Sequence, residues 1–305
     1  MTAAQHSSSS SAPLKGVRVV TLALNLPGPA AVMRLQTMGA KCTKLEPLAP
    51  VGMGTADPMG IYKPAAYEEM HKGLKVLQAD LKSERGQAVL HKELAHTDVL
   101  ITSFRPSALV KLGLVWKELH KRYPSMCVVS IVGALGERAE EAGHDLTYQA
   151  DSGLVNGLDM PASLYADMGG SLFTTEAVLQ ALLLRQRPGR SQGKGVFHQV
   201  ALSDASSYLA LPRTWGLTAA SGDVGGAHAG YKVYPCKNGR VAVAALEPHF
   251  ASRLCEASGL PKQTATQMHK RSTHQSIAQF LASQTRAQLD KLASSKDIPL
   301  HTLPR

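Results

Sequence analysis

The chain has few aromatic residues and few cysteines, and it lacks the long apolar runs that membrane spans need. Phe, Trp and Tyr make up 5% of its 305 residues, which disfavours a protein that stacks nucleic-acid bases. The four cysteines show no CxxC spacing and are expected to be reduced, buried thiols of a cytoplasmic protein. No stretch approaches the ~18 uninterrupted apolar residues of a transmembrane helix, so no membrane association is predicted.

Other absences narrow the range of functions further. The sequence has no zinc-finger or RNA-binding signature, so neither a metal nor a nucleic acid is predicted as a partner. The glycine fingerprint of dinucleotide-binding proteins is missing, so no nicotinamide cofactor is predicted. Residues 1–13 contain a run of serines but neither the basic start nor the apolar segment of a signal peptide, and they are predicted to form a disordered leader.

The sequence has a net charge of +10 at pH 7. This charge suits an anionic partner, either a polynucleotide or a small phosphorylated ligand, and it equally suits a surface that only contacts solvent. The basic residues are dispersed along the chain rather than gathered in runs. Dispersion favours the small anionic ligand over the polynucleotide.

The length and the hydrophobic pattern predict an α/β protein of two domains. A chain of 305 residues exceeds the size at which a single core usually stops growing. Residues 16–22 read as a buried strand, 30–38 as a helix and 42–46 as a second strand, which is the opening of a helix-covered parallel sheet. Because the alternation continues, residues 14–221 are predicted to form a large Rossmann-like domain.

Two segments lack this alternation. Residues 47–73 are rich in Pro, Gly and Met and are predicted to form a long loop over the sheet edge. Residues 222–228 are predicted to be a flexible connector. A hairpin around Lys237-Asn238-Gly239 and further helical patterns follow, so residues 222–305 are expected to form a small α/β domain.

Two glycine-flanked segments supply an imidazole and a carboxylate. His144 follows Gly143, and Asp167 comes 23 residues later, shortly before Gly169. Histidine titrates near neutrality, and an aspartate does so only where its surroundings raise its pKa, so the pair could exchange a proton on opposite sides of one carbon. The competing interpretation of Asp167 is an N-terminal cap of the helix predicted over residues 169–187.

A third candidate lies at the carboxyl end of the strand predicted over residues 98–102. Ligands collect at this end of the strands in open α/β sheets, and an arginine there can bind phosphate with two hydrogen bonds. Arg105 is therefore a candidate ligand contact, and Lys111 on the next helix could face the same loop. A surface salt bridge is the alternative role for Arg105.

Nine short motifs occur in a fixed order from residue 14 onward. They are Leu14–Val19, Pro27–Pro29, Met38–Glu46, Ala79–Lys82, Phe104–Pro106, Lys111–Leu114, Gly143–Asp145, Ala166–Gly170 and Ala245–Pro248. Together they resemble the class III CoA-transferase family, and within it most closely the α-methylacyl-CoA racemase branch.

The resemblance implies a Rossmann-like domain and a smaller α/β domain, with two chains interlocked as a homodimer. It implies an acyl-CoA substrate bound between domains and no cofactor beyond the CoA moiety of that substrate. The matching positions make His144 and Asp167 the two bases that exchange the α-proton, with Glu247 orienting His144. The positions that match the CoA site are Lys82, Arg105, Lys111, Gly143 and Tyr148.

The resemblance leaves more than one reaction open. Transferases of the family use the aspartate matching Asp167 as a nucleophile and pass through an aspartyl-CoA thioester. His144 favours racemisation of a 2-methylacyl-CoA, because the transferases usually carry another residue at that place. A non-catalytic acyl-CoA-binding protein is the third possibility.

The sequence departs from the family pattern at several positions. The loop before the histidine reads Gly136-Glu-Arg-Ala139 in place of Gly-Gln-Thr-Gly-Pro, and Pro47 and Ser163 replace a common basic residue and an asparagine. Relatives usually continue for several dozen residues beyond the position of Arg305, back to the large domain. The return segment is expected to be missing here.

Overall fold

A computed structural model describes residues 12–189 and 192–305. Most of the predicted leader, residues 1–11, lies outside the described residues. The chain divides into two compact units, the first ending at Ala210 and the second comprising Leu211–Arg305. The division between domains after residue 221 stays a prediction.

In the described part of the first unit, six parallel strands form one sheet in the order β3-β2-β1-β4-β5-β6. This confirms the predicted α/β class, and the strand order is that of a Rossmann-like fold, in which the direction of winding reverses beside β1. The strands are β1 (Arg18–Thr21), β2 (Lys41–Glu46), β3 (Lys75–Gln78), β4 (Val99–Thr102), β5 (Cys127–Val132) and β6 (Phe197–Ala201).

Helices cover both faces of this sheet, because successive strand residues alternate between two apolar cores. Val19 and Val129 belong to one buried cluster, whereas Val20 and Val128 belong to the other. The helices are α1 (Pro27–Thr37), α2 (Pro58–Tyr62), α3 (Pro64–His71), α4 (Glu84–Leu94), α5 (Pro106–Lys111), α6 (Trp116–Arg122), α7 (Asp145–Asp151), α8 (Tyr165–Gln186) and α9 (Leu202–Leu209).

The segment 47–73 is not the irregular loop that the sequence predicted, because it contains α2 and α3. The Asp57 side chain caps α2 by accepting a hydrogen bond from the Met59 amide, and Pro58 occupies its first turn, as expected for a helix start. Met59 and Met70 are buried in a small cluster with Ala30 of α1. Each helix is too short to show a helical period in the sequence.

A buried ionic network lies at the carboxyl end of β2. Lys44 is fully buried, and its ammonium group contacts the carboxylates of Asp57 and Glu46, the second at 3.3 Å. The Lys44 Nζ also lies 2.9 Å from Nε2 of His71, and the Tyr67 hydroxyl donates to Glu46 at 3.2 Å. Burial foremost, followed by the Lys44 charge, lowers the pKa of His71, so the network contains a neutral imidazole at pH 7.

The second unit is built on an antiparallel sheet in the order β7-β8-β9. Its hairpin turns at Lys237–Asn238, as predicted, whereas the predicted connector contains a 3-10 turn over Asp223–Gly225. The elements are α10 (Leu211–Thr214), β7 (Tyr231–Cys236), β8 (Gly239–Ala244), α11 (Pro248–Ala257), α12 (Arg271–Ser283), α13 (Arg286–Lys296) and β9 (Leu300–Leu303).

Two general findings concern the whole described chain. All four cysteines are buried and free, which agrees with the sequence-based expectation of buried, reduced thiols. Among residues 12–189 and 192–305, no helix is both long and apolar enough to cross a membrane.

We expect Lys44→Met to lower the free energy of unfolding by about 3–5 kcal/mol, because removal of one partner leaves buried carboxylates without a counter-charge. Denaturant unfolding measures the change. Lys117→Met on the exposed face of α6 is the matched control and should cost less than about 0.5 kcal/mol. Equal losses in the two variants would contradict a structural role for the network.

Candidate active site

Two cavities lie at the carboxyl edge of the parallel sheet, where ligands bind in open α/β folds. The first has a volume of about 140 Å³, and Arg105, Gly143 and Tyr148 are among its lining residues. The second has a volume of about 410 Å³ and is lined by Lys82. Phe104 lines both cavities, so the two are neighbours along one edge of the sheet.

Four of the five predicted CoA-site residues therefore face this edge. The fifth, Lys111, ends α5 with an exposed side chain and lies outside the lining of both cavities in the described structure. Lys82 is exposed, and its backbone amide donates to Asp80 Oδ1 at 3.0 Å. Each cavity has one cation in its lining, Arg105 in the first and Lys82 in the second, but carboxylates line them as well: Glu141 the first, and Glu46 and Asp80 the second.

The loop after β4 is held in place by two hydroxyl groups. Thr102 Oγ1 accepts from the Phe104 amide at 3.2 Å, and Ser103 Oγ accepts from the Leu24 amide at 3.4 Å. Arg105 precedes α5 directly, and its side chain is exposed. The sequence placed Arg105 correctly at the carboxyl end of a strand, because the strand and helix signals on either side of it are strong.

The carboxylate of Glu140, which comes from another loop, binds the first turn of α5. Glu140 accepts hydrogen bonds from the Ser107 amide at 2.6 Å and from the Ser107 hydroxyl at 2.9 Å. Its neighbour Glu141 lines the smaller cavity together with Arg105. No local sequence pattern predicts this contact, since 33 residues separate Glu140 from Ser107.

Tyr148 is fitted against two glycines. A Cβ at Gly133 would lie 2.2 Å from the Tyr148 hydroxyl oxygen and 3.1 Å from Cζ. A Cβ at Gly143 would lie 2.3 Å from the same oxygen but only 2.6 Å from Cζ. Both positions need glycine because the Tyr148 ring approaches the backbone closely.

His144 stands immediately before α7, with an exposed side chain. Its backbone is fixed by Thr147, whose hydroxyl accepts from the His144 amide at 3.1 Å and donates to the His144 carbonyl at 2.7 Å. The imidazole is thus attached to a rigid backbone and open to solvent. Such an arrangement suits a group that must meet a substrate.

Asp167 lies in the first turn of α8 and is buried, so the prediction that it precedes the helix was wrong by one turn. Its amide donates to Asp145 Oδ1 at 3.0 Å. Burial foremost, and then the charge of Asp145, raises the pKa of Asp167 to about 7. The structure therefore joins the two predicted segments through the residue next to His144.

Asp145 and Gln149 were missed as site residues by the sequence analysis. The Gln149 amide group donates to Asp145 Oδ2 and, at 3.1 Å, to the Ser163 carbonyl. Both side chains are buried. The available signal was the position of Asp145 directly after His144 in the motif Gly143–Asp145.

A tyrosine from α2 is also near this carboxylate pair. The Tyr62 hydroxyl donates to Asn25 Oδ1, and Asn25 adopts a left-handed backbone with φ of 67°. Burial, then the charges of Asp167 and Asp57, raises the pKa of Tyr62. Tyr62 therefore stays protonated at neutral pH, and its one hydroxyl proton is donated to Asn25.

Glu247 belongs to the second unit, where it is exposed and stands directly before α11. Its role in orienting His144 stays a prediction. Within the described residues, no group of three or more His, Cys, Asp or Glu side chains could hold a metal ion.

We expect Gly133→Ala to lower the free energy of unfolding by about 1–3 kcal/mol through overpacking against Tyr148. A second substitution, Tyr148→Phe, should restore most of the lost stability, because the hydroxyl oxygen is the Tyr148 atom nearest to the new Cβ. The same addition should not rescue Gly143→Ala, where the ring carbon remains too close. A double-mutant cycle by urea unfolding measures both couplings, and equal rescue at the two glycines would contradict the geometry.

Stability should depend on the protonation of Asp167. Since folding raises its pKa from 3.8 to about 7, its contribution to stability is present in full below pH ~4 and is lost as the pH rises to about 7. The Asp167→Asn variant lacks this ionisation. Its free energy of unfolding should therefore rise relative to that of the native chain, by up to roughly 4 kcal/mol, as the pH increases from about 4 to about 7. Urea unfolding at several pH values tests this, with Asp159→Asn as the exposed control; a pH-independent difference would contradict it.

Comparison with known proteins places this chain in a family. A family model described as CoA-transferase family III matches residues 14–304. The α-methylacyl-CoA racemase of Mus musculus is 30% identical over 264 residues, which is 82% of this chain and 66% of that protein. The succinyl-CoA:D-citramalate CoA-transferase of Chloroflexus aurantiacus is 28% identical over 269 residues, again 82% of this chain and 66% of that protein.

The chain spans about two thirds of the length of these relatives. Among solved structures, a CAIB/BAIF family protein from Brucella suis has a TM-score of 0.78 at 23% identity, with 96% of this chain and 84% of that chain covered. Rv3272 from M. tuberculosis has a TM-score of 0.80 at 22% identity, with 96% and 83% covered. These two show the same fold. The chain belongs to CoA-transferase family III, and its relatives include both racemases and CoA-transferases.

Proposed function

We propose that this protein exchanges the α-proton of a 2-methylacyl-CoA thioester and so interconverts its two epimers. The observation that carries the proposal is the buried carboxyl of Asp167, whose pKa is raised to about 7 and whose amide is bound by the residue next to His144. A general acid or base works best when its pKa lies near the operating pH. An ordinary aspartate would be almost fully ionised at pH 7.

Racemisation needs each of two groups to act as a base in one direction and as an acid in the other. At pH 7 a carboxyl with a pKa of about 7 is protonated about half of the time, so Asp167 can serve in both directions. Histidine has the same property without special surroundings. His144 would remove the proton from one face of the α-carbon while Asp167 supplies a proton to the other.

The enolate that forms between the two proton transfers needs a hydrogen-bond donor. We propose the Tyr62 hydroxyl, which stays protonated at neutral pH and would exchange its hydrogen bond to Asn25 for one to the enolate. Donors aimed at developing charge supply much of the rate enhancement in reactions of this type. We propose Glu247 as the carboxylate that orients His144 in a homodimer, on the basis of the family resemblance.

The CoA moiety would bind at the carboxyl edge of the parallel sheet. Arg105 and Lys82 line adjacent cavities there and would contact the phosphates, with Lys111 nearby on α5. Gly143 and Tyr148 would form the inner wall beside the thioester. The adjoining cavities, with volumes of about 140 and 410 Å³, accord with an elongated ligand.

A CoA-transferase is the second candidate, favoured by the buried carboxyl of Asp167 and by the transferases among the relatives. In that reaction the ionised Asp167 attacks the thioester carbonyl and the CoA thiolate leaves, giving a mixed anhydride. The thiolate then attacks the aspartyl carbonyl and releases the donor acid. An incoming carboxylate reverses these steps and carries the CoA away.

The test is mass spectrometry of one epimer of a 2-methylacyl-CoA incubated with the protein in heavy water. We expect deuterium at the α-carbon, with the rate reduced about 10²–10⁴-fold by His144→Ala and by Asp167→Asn. His301→Ala and Asp159→Asn change exposed residues of the same types and should leave the rate unchanged.

A parallel sample contains a free carboxylic acid as acceptor. Formation of a new acyl-CoA that needs Asp167 but not His144, without deuterium exchange, would replace the racemase with the transferase. Binding of CoA without either product would identify a binding protein and would overturn both enzymatic assignments.

A further inference from the structure

A basic cavity lies at the amino edge of the parallel sheet, opposite the candidate active site. It has a volume of about 240 Å³ and is lined by Arg18, Lys41, Lys75, Lys92 and His96. The first three are the initial residues of β1, β2 and β3, which are adjacent in the sheet. The amino ends of neighbouring parallel strands meet at one edge, so the fold gathers these cations in one place.

The strand register brings like charges directly together. Arg18 pairs with Lys41, and Thr43, two residues further along β2, pairs with Lys75. Residues paired in register share a face of the sheet, and like charges in that position destabilise it. The three cations therefore project on the same face. All three are exposed, so water screens their mutual repulsion and it opposes folding only weakly in the absence of an anion.

The protein itself neutralises little of this charge. Glu93 pairs with Lys75 at 2.7 Å, whereas Asp98 binds the Arg18 amide at 2.8 Å and the Arg185 side chain at 2.9 Å. Across residues 12–189 and 192–305, the charged groups of Arg18, Lys41 and Lys92 form no ion pair.

The helix dipole accounts for only part of the cluster. Lys92 lies in the last turn of α4, where a cation is favourable beside the carbonyl end of a helix. Arg18 and Lys41 begin strands, so no helix end of their own explains them. A buried threonine hydroxyl, that of Thr43, adds a neutral polar group to the wall.

We infer that this cavity is a second anion site, selective for a small phosphate ligand such as pyrophosphate. Its volume lies below the roughly 300–1,000 Å³ of pockets that hold drug-sized ligands, so it suits a compact oxyanion. Arg18 can bind such a group with two parallel hydrogen bonds, while Lys41 and Lys92 act as point charges. The site lies at the opposite edge of the sheet from Arg105 and is independent of the proposed catalytic reaction.

The experiment is calorimetric titration with pyrophosphate in chloride buffer at constant ionic strength. We expect one saturable site in the full chain, weakened about tenfold or more by Arg18→Gln and by Lys41→Gln, since charge-assisted hydrogen bonds contribute more than 1.4 kcal/mol each. Lys41→Arg should keep most of the affinity and Arg18→Lys only part of it, since lysine keeps the charge but not the paired hydrogen bonds; both variants separate a charge requirement from misfolding. Lys117→Gln, an exposed change of equal charge, should have no effect.

A second readout needs no ligand. Lys41→Gln should raise the free energy of unfolding in phosphate-free buffer, because it removes the like-charge pair with Arg18, and Lys117→Gln should not. Pyrophosphate binding that survives Arg18→Gln but is lost in Arg105→Gln would place the anion at the other edge of the sheet and overturn the inference. Binding no tighter than that of chloride, or equal weakening by Lys117→Gln, would overturn it as well.

Discussion

The hydrogen bond from the Asp167 amide to Asp145 is the contact on which the candidate active site depends. It connects the first turns of two helices that follow separate loops, and it fixes two carboxyl groups close to each other in a buried place. Burial foremost, and then the charge of Asp145, oppose ionisation of Asp167, and this contact holds Asp167 where both act on it. His144 is placed by the same arrangement, because it precedes Asp145 in the chain.

Several neighbouring features support this contact. Gln149 links Asp145 to the Ser163 carbonyl, so the loop that leads to α8 is tied to α7. The close fit of Tyr148 against Gly133 and Gly143 holds α7 against the end of β5. Arg105 and Lys82 line cavities at the same edge of the sheet, and the pKa of Asp167 is raised to about 7, so the protein offers cations for an anionic ligand and a carboxyl that can hold or release a proton.

Much of the fold could be predicted from the sequence because its strands are short apolar runs and its helices are bounded by Pro, Ser and Gly. The predicted strand near Arg105 and the helix after it are both present, which is why Arg105 was placed correctly. The segment 47–73 was predicted as a loop, since α2 and α3 each bury too few residues to show a period. The ionic network of Lys44 was also missed, because contacts between residues distant in sequence leave no local pattern.

For the site, the sequence proposed His144 and Asp167 as an acid/base pair, which stays a prediction, and it carried no indication of the raised pKa of Asp167. That property comes from burial and from Asp145, and both depend on tertiary packing. The resemblance to known sequences supplied Lys82, Gly143 and Tyr148, which periodicity and spacing alone would not have selected. The contact between Glu140 and α5 could not be predicted, because a surface loop carries three glutamates and only the fold decides which one reaches Ser107.

The Asp57 carboxylate has a consequence for the order of folding. Besides capping α2, it accepts the Asn25 amide at 3.0 Å from the loop after β1 and contacts Lys44 on β2. These partners are brought together only when β1 and β2 have already paired. The α2–α3 segment should therefore become ordered after the sheet has formed, and interactions of Asp57 should be largely absent from the folding transition state. Its contacts would slow unfolding more than they speed folding.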